Sequence, residues 1–309
     1  MPEIATTFGN APPLVGIIAT QSVPEQGEAL PAVVLLNAGI VHRVGPSRMS
    51  VRIARRLSSL GFAVARFDHS GVGDSGIRRD RLTWSESTVV EARDVMSDLE
   101  TRFGLTRFIL VGLCSGAVTA FKTACADERV VGIVMLNSQG LDRNSEWNRF
   151  VKNRSWARQY WRKSLLDREA WVRALKGKIQ YRRLVKVLVD QFRDRLAPPR
   201  QVKEISAHLS RQLHALLDRE VRFLFVHSHG DHSLDYFDVF TESCLGRLHS
   251  APGYRNETVH RTDHTFTLLG NQKELLDVVT DWFETWRRQS ATVPERVQTA
   301  LTSRSSNES

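Results

Sequence analysis

Cysteine is scarce in this chain. There are three in 309 residues, Cys114, Cys125 and Cys244, an odd number with no Cys-x-x-Cys pair. That argues against a disulfide framework and against a cysteine zinc site, and it fits a reducing cytoplasm. Long apolar runs are missing too: Ala32 to Ile40 and Val130 to Leu136 are strand-sized, too short to span a bilayer, so no transmembrane segment is expected. The first residues, Met1-Pro2-Glu3-Ile4, lack a basic stretch leading into an apolar core, the mark of a secretory signal. His227, His229 and His232 crowd together, but no second ligand set accompanies them, so neither a metal nor another cofactor is expected.

What is present is the composition of a soluble globular protein, 41% hydrophobic and 25% charged, long enough for one large core or a core with a small second lobe. The net charge of +9 is unevenly spread: residues 141–200 hold 17 Lys and Arg against 6 Asp and Glu, which leaves the remainder slightly acidic. A solvated helical face accounts for such a segment, and so does a surface for an anionic substrate, an acidic carrier protein or a membrane. No recognisable nucleic-acid module accompanies it, so a nucleic-acid partner is not expected.

Short β-rich runs alternate with helix-period segments. The runs are Leu14 to Ala19, Ala32 to Leu36, Phe62 to Phe67, Phe108 to Gly112, Val130 to Leu136, Val221 to Val226 and Glu257 to His260. Most are continuously apolar, as central strands covered on both faces are. Ser47 to Leu60, Ser85 to Phe103, Ser115 to Ala126 and Gln272 to Trp286 carry apolar residues at helical spacing. Such alternation predicts a doubly wound, mostly parallel α/β sheet. It stops near Gln139 and resumes near Arg219; the stretch between is helical in pattern, basic, and holds four of the seven Trp. The expected organisation is a first core part over 1–138, an inserted basic helical lid over 139–218, a second core part over 219–288, and a polar, disordered tail over 289–309.

Phe108 to Leu113 breaks into Gly112-Leu113-Cys114-Ser115-Gly116-Ala117, the Gly-x-Cys-x-Gly layout of a nucleophile elbow. The spacing places Cys114 on a strained strand-to-helix turn, with glycines where a Cβ would collide, and puts its sulfur at a helix N-terminus that favours thiolate. A nucleophilic thiol needs a base and a group to orient that base. In the chain order nucleophile, acid, base, Asp231 follows the strand after the lid and His264 precedes the last helix. Asp235 and Asp238 lie deeper in the next helix, and His260 falls within a strand, so each is the weaker candidate. Ser115 lies one residue past the apex, its side chain turned into the helix start, which favours Cys114 over it as nucleophile. The oxyanion donors expected are the backbone N–H of Ser115 and that of Gly39 or Ile40 in the loop after Ala32 to Leu36.

With Arg66-Phe67-Asp68-His69-Ser70-Gly71-Val72-Gly73-Asp74-Ser75, these motifs resemble the α/β-hydrolase superfamily over roughly residues 12–288. Asn37-Ala38-Gly39 with Arg43-Val44-Gly45, the elbow, and Asp263-His264-Thr265-Phe266 look more narrowly like the exosortase-associated hydrolases, bacterial proteins encoded near exopolysaccharide and protein-sorting genes. Cys in the elbow is also found in dienelactone hydrolases and polyhydroxyalkanoate synthases. The resemblance implies an α/β-hydrolase fold and an acyl hydrolase, an esterase or thioesterase, working through Cys114, His264 and Asp231. The same triad would serve an acyltransferase, and a non-catalytic protein that binds a partner through its basic lid is the other reading. The small-molecule acyl donor expected is anionic, a coenzyme A or acyl carrier protein thioester.

Overall fold

The computed structural model describes residues 2–21, 30–141, 145–152 and 199–291. Most of the expected basic lid, and the tail beyond 291, lie outside the described residues. The chain runs β1 (Glu3–Phe8), β2 (Leu14–Ala19), β3 (Ala32–Leu36), α1 (Met49–Ser59), β4 (Val64–Phe67), α2 (Trp84–Phe103), β5 (Phe108–Leu113), α3 (Ser115–Ala126), β6 (Val130–Leu136), α4 (Arg200–Asp218), β7 (Arg222–Ser228), α5 (Ser233–Thr241), α6 (Leu245–Ser250), β8 (Arg255–Val259) and α7 (Leu269–Ala291). Among the described residues, eight strands form one sheet in the order β1-β2-β4-β3-β5-β6-β7-β8. β1 and β2 are antiparallel to their neighbours, and every pairing from β4 to β8 is parallel.

Each central strand feeds two cores because successive side chains point to opposite faces. Val34, Leu36, Leu110, Ile133, Met135, Phe223 and Phe225 pack beneath α2, α3 and α4. The alternate residues, Val33, Leu35, Ile109, Val111, Val134, Leu224 and Val226, pack beneath α1 and α7 through Ile53, Leu57, Val279, Trp282 and Phe283. The continuous apolar runs are thus strands covered on both sides. α2 begins on a Glu86 carboxylate that accepts the Thr83 N–H at 2.8 Å and stops at Gly104, whose φ of 68° ends the helix. Helix α4, the final part of the segment read as lid, sends Leu209, Leu213, Leu216 and Leu217 into the main core. Arg219 at its end donates to the carbonyl oxygens of Ala124, Asp127 and Val130, joining α4 to α3 and β6.

Some boundaries differ from the sequence reading. β1 was not anticipated; it is an edge strand with only Phe8 buried, so it carries no apolar run. β7 continues two residues past Val226 because His227 and Ser228 are buried through polar contacts. β8 ends at Val259, so His260 lies just beyond the strand, not in it.

The chain leaves β3 towards β4 and leaves β5 towards β6, so the connections after these two paired neighbours run to opposite sides. A crevice at such a switch point is where open α/β sheets bind ligands. Gly39 and Cys114 follow these two strands.

Candidate active site

The loop between β5 and α3 holds Cys114 at φ 55° and ψ −114°, a left-handed conformation that costs a non-glycine residue roughly 1–3 kcal/mol. The surrounding glycines make this turn possible. A Cβ on Gly112 would collide with the Gly116 backbone, and one on Gly116 would sit 2.7 Å from the Asn37 carbonyl oxygen and 2.9 Å from that of Leu36. Helix α3 is therefore drawn against β5 and β3, with the half-buried Cys114 at its N-terminus. The Cys114 N–H donates to the Leu136 carbonyl at 2.9 Å, securing the turn to β6.

Asp231 and His264 come from loops after β7 and β8, and His264 Nδ1 lies 2.9 Å from Asp231 Oδ2. Burial alone would raise the Asp231 carboxyl, but hydrogen bonds from His264, Gln139 and Ser233 prevail and hold it well below the usual carboxylate range. His264 is pushed up to about 10, first by its hydrogen bond to Asp231 and next by one with Cys114, with burial opposing. Of the three groups expected to form a catalytic set, Asp231 and His264 are in hydrogen-bond contact, and Cys114 is close enough to contribute to the raised value of His264.

Side chains that the sequence did not single out hold this pair. Gln139 Nε2 donates to Asp231 Oδ1 at 3.0 Å and lies 3.3 Å from His264 Nδ1, so the amide and the imidazole N–H converge on one carboxylate. Asn137, fully buried at φ 43°, accepts the Ser228 N–H at 2.7 Å. Its Nδ2 donates to Ser228 Oγ and to the His264 carbonyl oxygen, each at 2.7 Å. One amide therefore joins the acid-bearing and base-bearing segments to the end of β6. The available signal was the polar triplet Asn137-Ser138-Gln139 directly after the apolar β6, at the carboxyl edge of the sheet.

Of the expected oxyanion donors, the Gly39 N–H points at Ser115 Oγ, 2.6 Å away, and Ile40 is 86% exposed. The loop carrying them is anchored by Arg43, whose backbone and guanidinium both bind Asp68 and whose second guanidinium nitrogen lies 2.7 Å from Asp74. Asp235 and Asp238 lie on α5, and Asp235 sits 3.7 Å from His232. His260 is exposed, with its ring 5.0 Å from that of His229. His227 is buried, and that burial pushes it down to about 4. Next to the site is an apolar cavity of about 20 Å³, lined by Met135, Leu141, Trp147, Phe225, Phe237 and Phe240 among others. Among the described residues no helix is long and apolar enough to cross a membrane.

Comparison with known proteins agrees with this architecture. A family model described as the α/β-hydrolase fold matches residues 31–181. No curated protein matches the chain in sequence. Among solved structures, proline iminopeptidase from Mycobacterium smegmatis is 17% identical with a TM-score of 0.52, the match covering 92% of this chain and 98% of that one. An α/β serine hydrolase without a lid from Xanthomonas campestris is 15% identical with a TM-score of 0.53, covering 93% and 96%. An esterase from Pyrococcus furiosus is 12% identical with a TM-score of 0.51, covering 92% and 90%. The chain has the α/β-hydrolase fold.

Proposed function

We propose that this protein is an acyl hydrolase that cleaves an ester or thioester through Cys114, His264 and Asp231. The observation that carries the reading is the set itself: a cysteine on a strained elbow, a histidine raised by Asp231 and Cys114 together, and a half-buried carboxylate 2.9 Å from that histidine. In the reactive form the proton shared by this pair rests on His264, and the Cys114 sulfur attacks the carbonyl carbon as thiolate while the carbonyl π pair moves onto oxygen. The tetrahedral oxyanion collapses, the bond to the leaving group breaks, and His264 returns its proton to that group. Water, deprotonated by His264, then attacks the acyl-enzyme thioester; the acid leaves and the thiol is restored. Asp231 keeps the imidazole oriented and stabilises its cationic form. An alcohol or amine in place of water at the second step would make the same enzyme an acyltransferase.

Two finer expectations belong to this proposal. The narrower resemblance, to exosortase-associated hydrolases, supports a bacterial acyl-group enzyme. The charge excess over residues 141–200 supports an anionic donor such as a coenzyme A or carrier-protein thioester. The test of the core reading is turnover of a panel of short acyl esters and thioesters by wild type, Cys114→Ala and His264→Ala. Both variants are expected to lose at least about 10³-fold in kcat, the scale of removing one member of a cooperating triad. Wild-type turnover by both variants would refute the assignment and favour the non-catalytic reading for the cysteine.

A further inference from the structure

Ser115 is the first residue of α3, directly after the elbow, and its side chain is half-exposed at the crevice. Its Oγ accepts the Gly39 N–H at 2.6 Å. Among the described residues and beyond its chain neighbours, the same oxygen is the one atom within 4 Å of where a Gly39 Cβ would be, so the hydroxyl and this loop face each other directly. Gly39, at φ 57°, sits across the crevice from Cys114, in a loop held by the contacts of Arg43 with Asp68. An amide N–H committed to one acceptor is not free to meet a substrate oxygen. A hydroxyl that accepts such a bond keeps its own O–H to give, and the bond it accepts strengthens it as a donor.

We propose that the Ser115 hydroxyl is a catalytic residue, a hydroxyl donor of the oxyanion hole, with the Gly39 N–H polarising it from behind. The inference rests on Cys114 being the nucleophile. During attack the sulfur–carbon bond forms, the carbonyl π pair moves to oxygen, and the resulting oxyanion accepts bonds from the Ser115 N–H and the Ser115 O–H. On collapse the carbonyl re-forms and the leaving group departs with the proton from His264. The Ser115 proton stays on its oxygen throughout, so the residue is unchanged at the end of the cycle. One residue then supplies two donors, and Gly39 acts through the hydroxyl without touching the substrate.

The test pairs two reactions of the same sulfur. Hydrolysis of a short p-nitrophenyl ester develops an oxyanion; alkylation of Cys114 by iodoacetamide displaces iodide and develops none. In Ser115→Ala, kcat for the ester is expected to fall roughly 10- to 100-fold, towards the lower end of what loss of an oxyanion donor produces. KM and the alkylation rate are expected to stay within about two-fold of wild type, and Ser115→Thr, which keeps a hydroxyl, is expected to recover most of the loss. Ester turnover in Ser115→Ala equal to or faster than wild type would overturn the proposal, because the hydroxyl would then be a plug on Gly39. A parallel fall in ester turnover and alkylation would also overturn it, because the hydroxyl would then serve the sulfur. Failure of the underlying assignment looks different: Cys114→Ala would keep turning over the ester.

Discussion

The two sides of the candidate site are held by different means. On one side, Cys114 is set by backbone alone: two glycines that admit close approach, a left-handed turn, and the start of a helix, all within five residues of sequence. On the other, Asp231 and His264 stand on separate loops and are joined by side-chain amides from the end of β6. Asn137 and His264 are 127 positions apart in the chain, and Gln139 and Asp231 are 92 apart. Close backbone approach leaves the Cys114 turn no room for an added atom. Distributed constraint makes the placing of Asp231 and His264 depend on Asn137 and Gln139, which reach them from the end of β6.

This contrast is broken most severely at the elbow. Gly116→Ala forces a methyl against two carbonyl oxygens and is expected to destabilise the fold by about 3 kcal/mol in urea unfolding, the upper end of the usual overpacking scale. The matched change on the other side is Asn137→Gly, which suits the positive φ but removes the amide. It leaves the Ser228 N–H and the His264 carbonyl without their partner, at an expected cost of about 1–3 kcal/mol. Unlike the elbow variant, it is expected to lower kcat through misplacement of His264 even at temperatures where the protein is fully folded. Equal and negligible effects of the two changes would remove the distinction.

Asp231→Asn sharpens it further. With the carboxylate gone, His264 loses the largest cause of its raised value, so the alkaline limb of kcat/KM, expected near pH 10 in wild type, should move at least one unit lower. The sign for stability follows from the same groups. His264 is raised on folding, so its contribution is complete below about pH 6.5 and is lost as pH rises through about 10. Asp231 is lowered on folding, so its contribution is present above the unfolded carboxylate value near 3.8 and is lost as pH falls towards its folded value. Unfolding midpoints of wild type and Asp231→Asn should therefore differ most between these limits and converge at both extremes. An alkaline limb that stays put in the variant would mean that Asp231 does not control His264.

The smallest effect expected is that of ionic strength. For an anionic and a neutral acyl donor of equal chain length, the ratio of kcat/KM values should fall as salt rises to about 0.1 M, where the Debye length is roughly 10 Å. A flat ratio would make the charge over residues 141–200 a solvated face.

How much was legible in the sequence follows the same division. The elbow was readable because its chemistry is local: Gly112, Cys114 and Gly116 declare both the turn and the reason for it. The strands that pack on both faces were readable as unbroken apolar runs. Asp231 and His264 were proposed from chain order, which needs no contacts, and the two side chains lie 2.9 Å apart. Asn137, Gln139 and Ser228 were not found, since a buried amide that joins distant loops has no local pattern, only a polar residue where an apolar strand ends. β1 was missed because an edge strand needs little apolar sequence.

The most direct test of Cys114 as the proposed nucleophile is to trap what it carries. Wild-type protein mixed with a short acyl thioester, quenched in acid and mapped by peptide mass, should hold the acyl group on Cys114. Cys125, pushed up to about 11 by burial, and Cys244, also raised by burial, serve as internal controls and should stay unmodified. The expected adduct on Cys114 disappears in Cys114→Ala and accumulates in His264→Ala only at a greatly reduced rate. Steady turnover with no adduct on Cys114, or an adduct on Ser115 that persists in Cys114→Ala, would contradict the proposal.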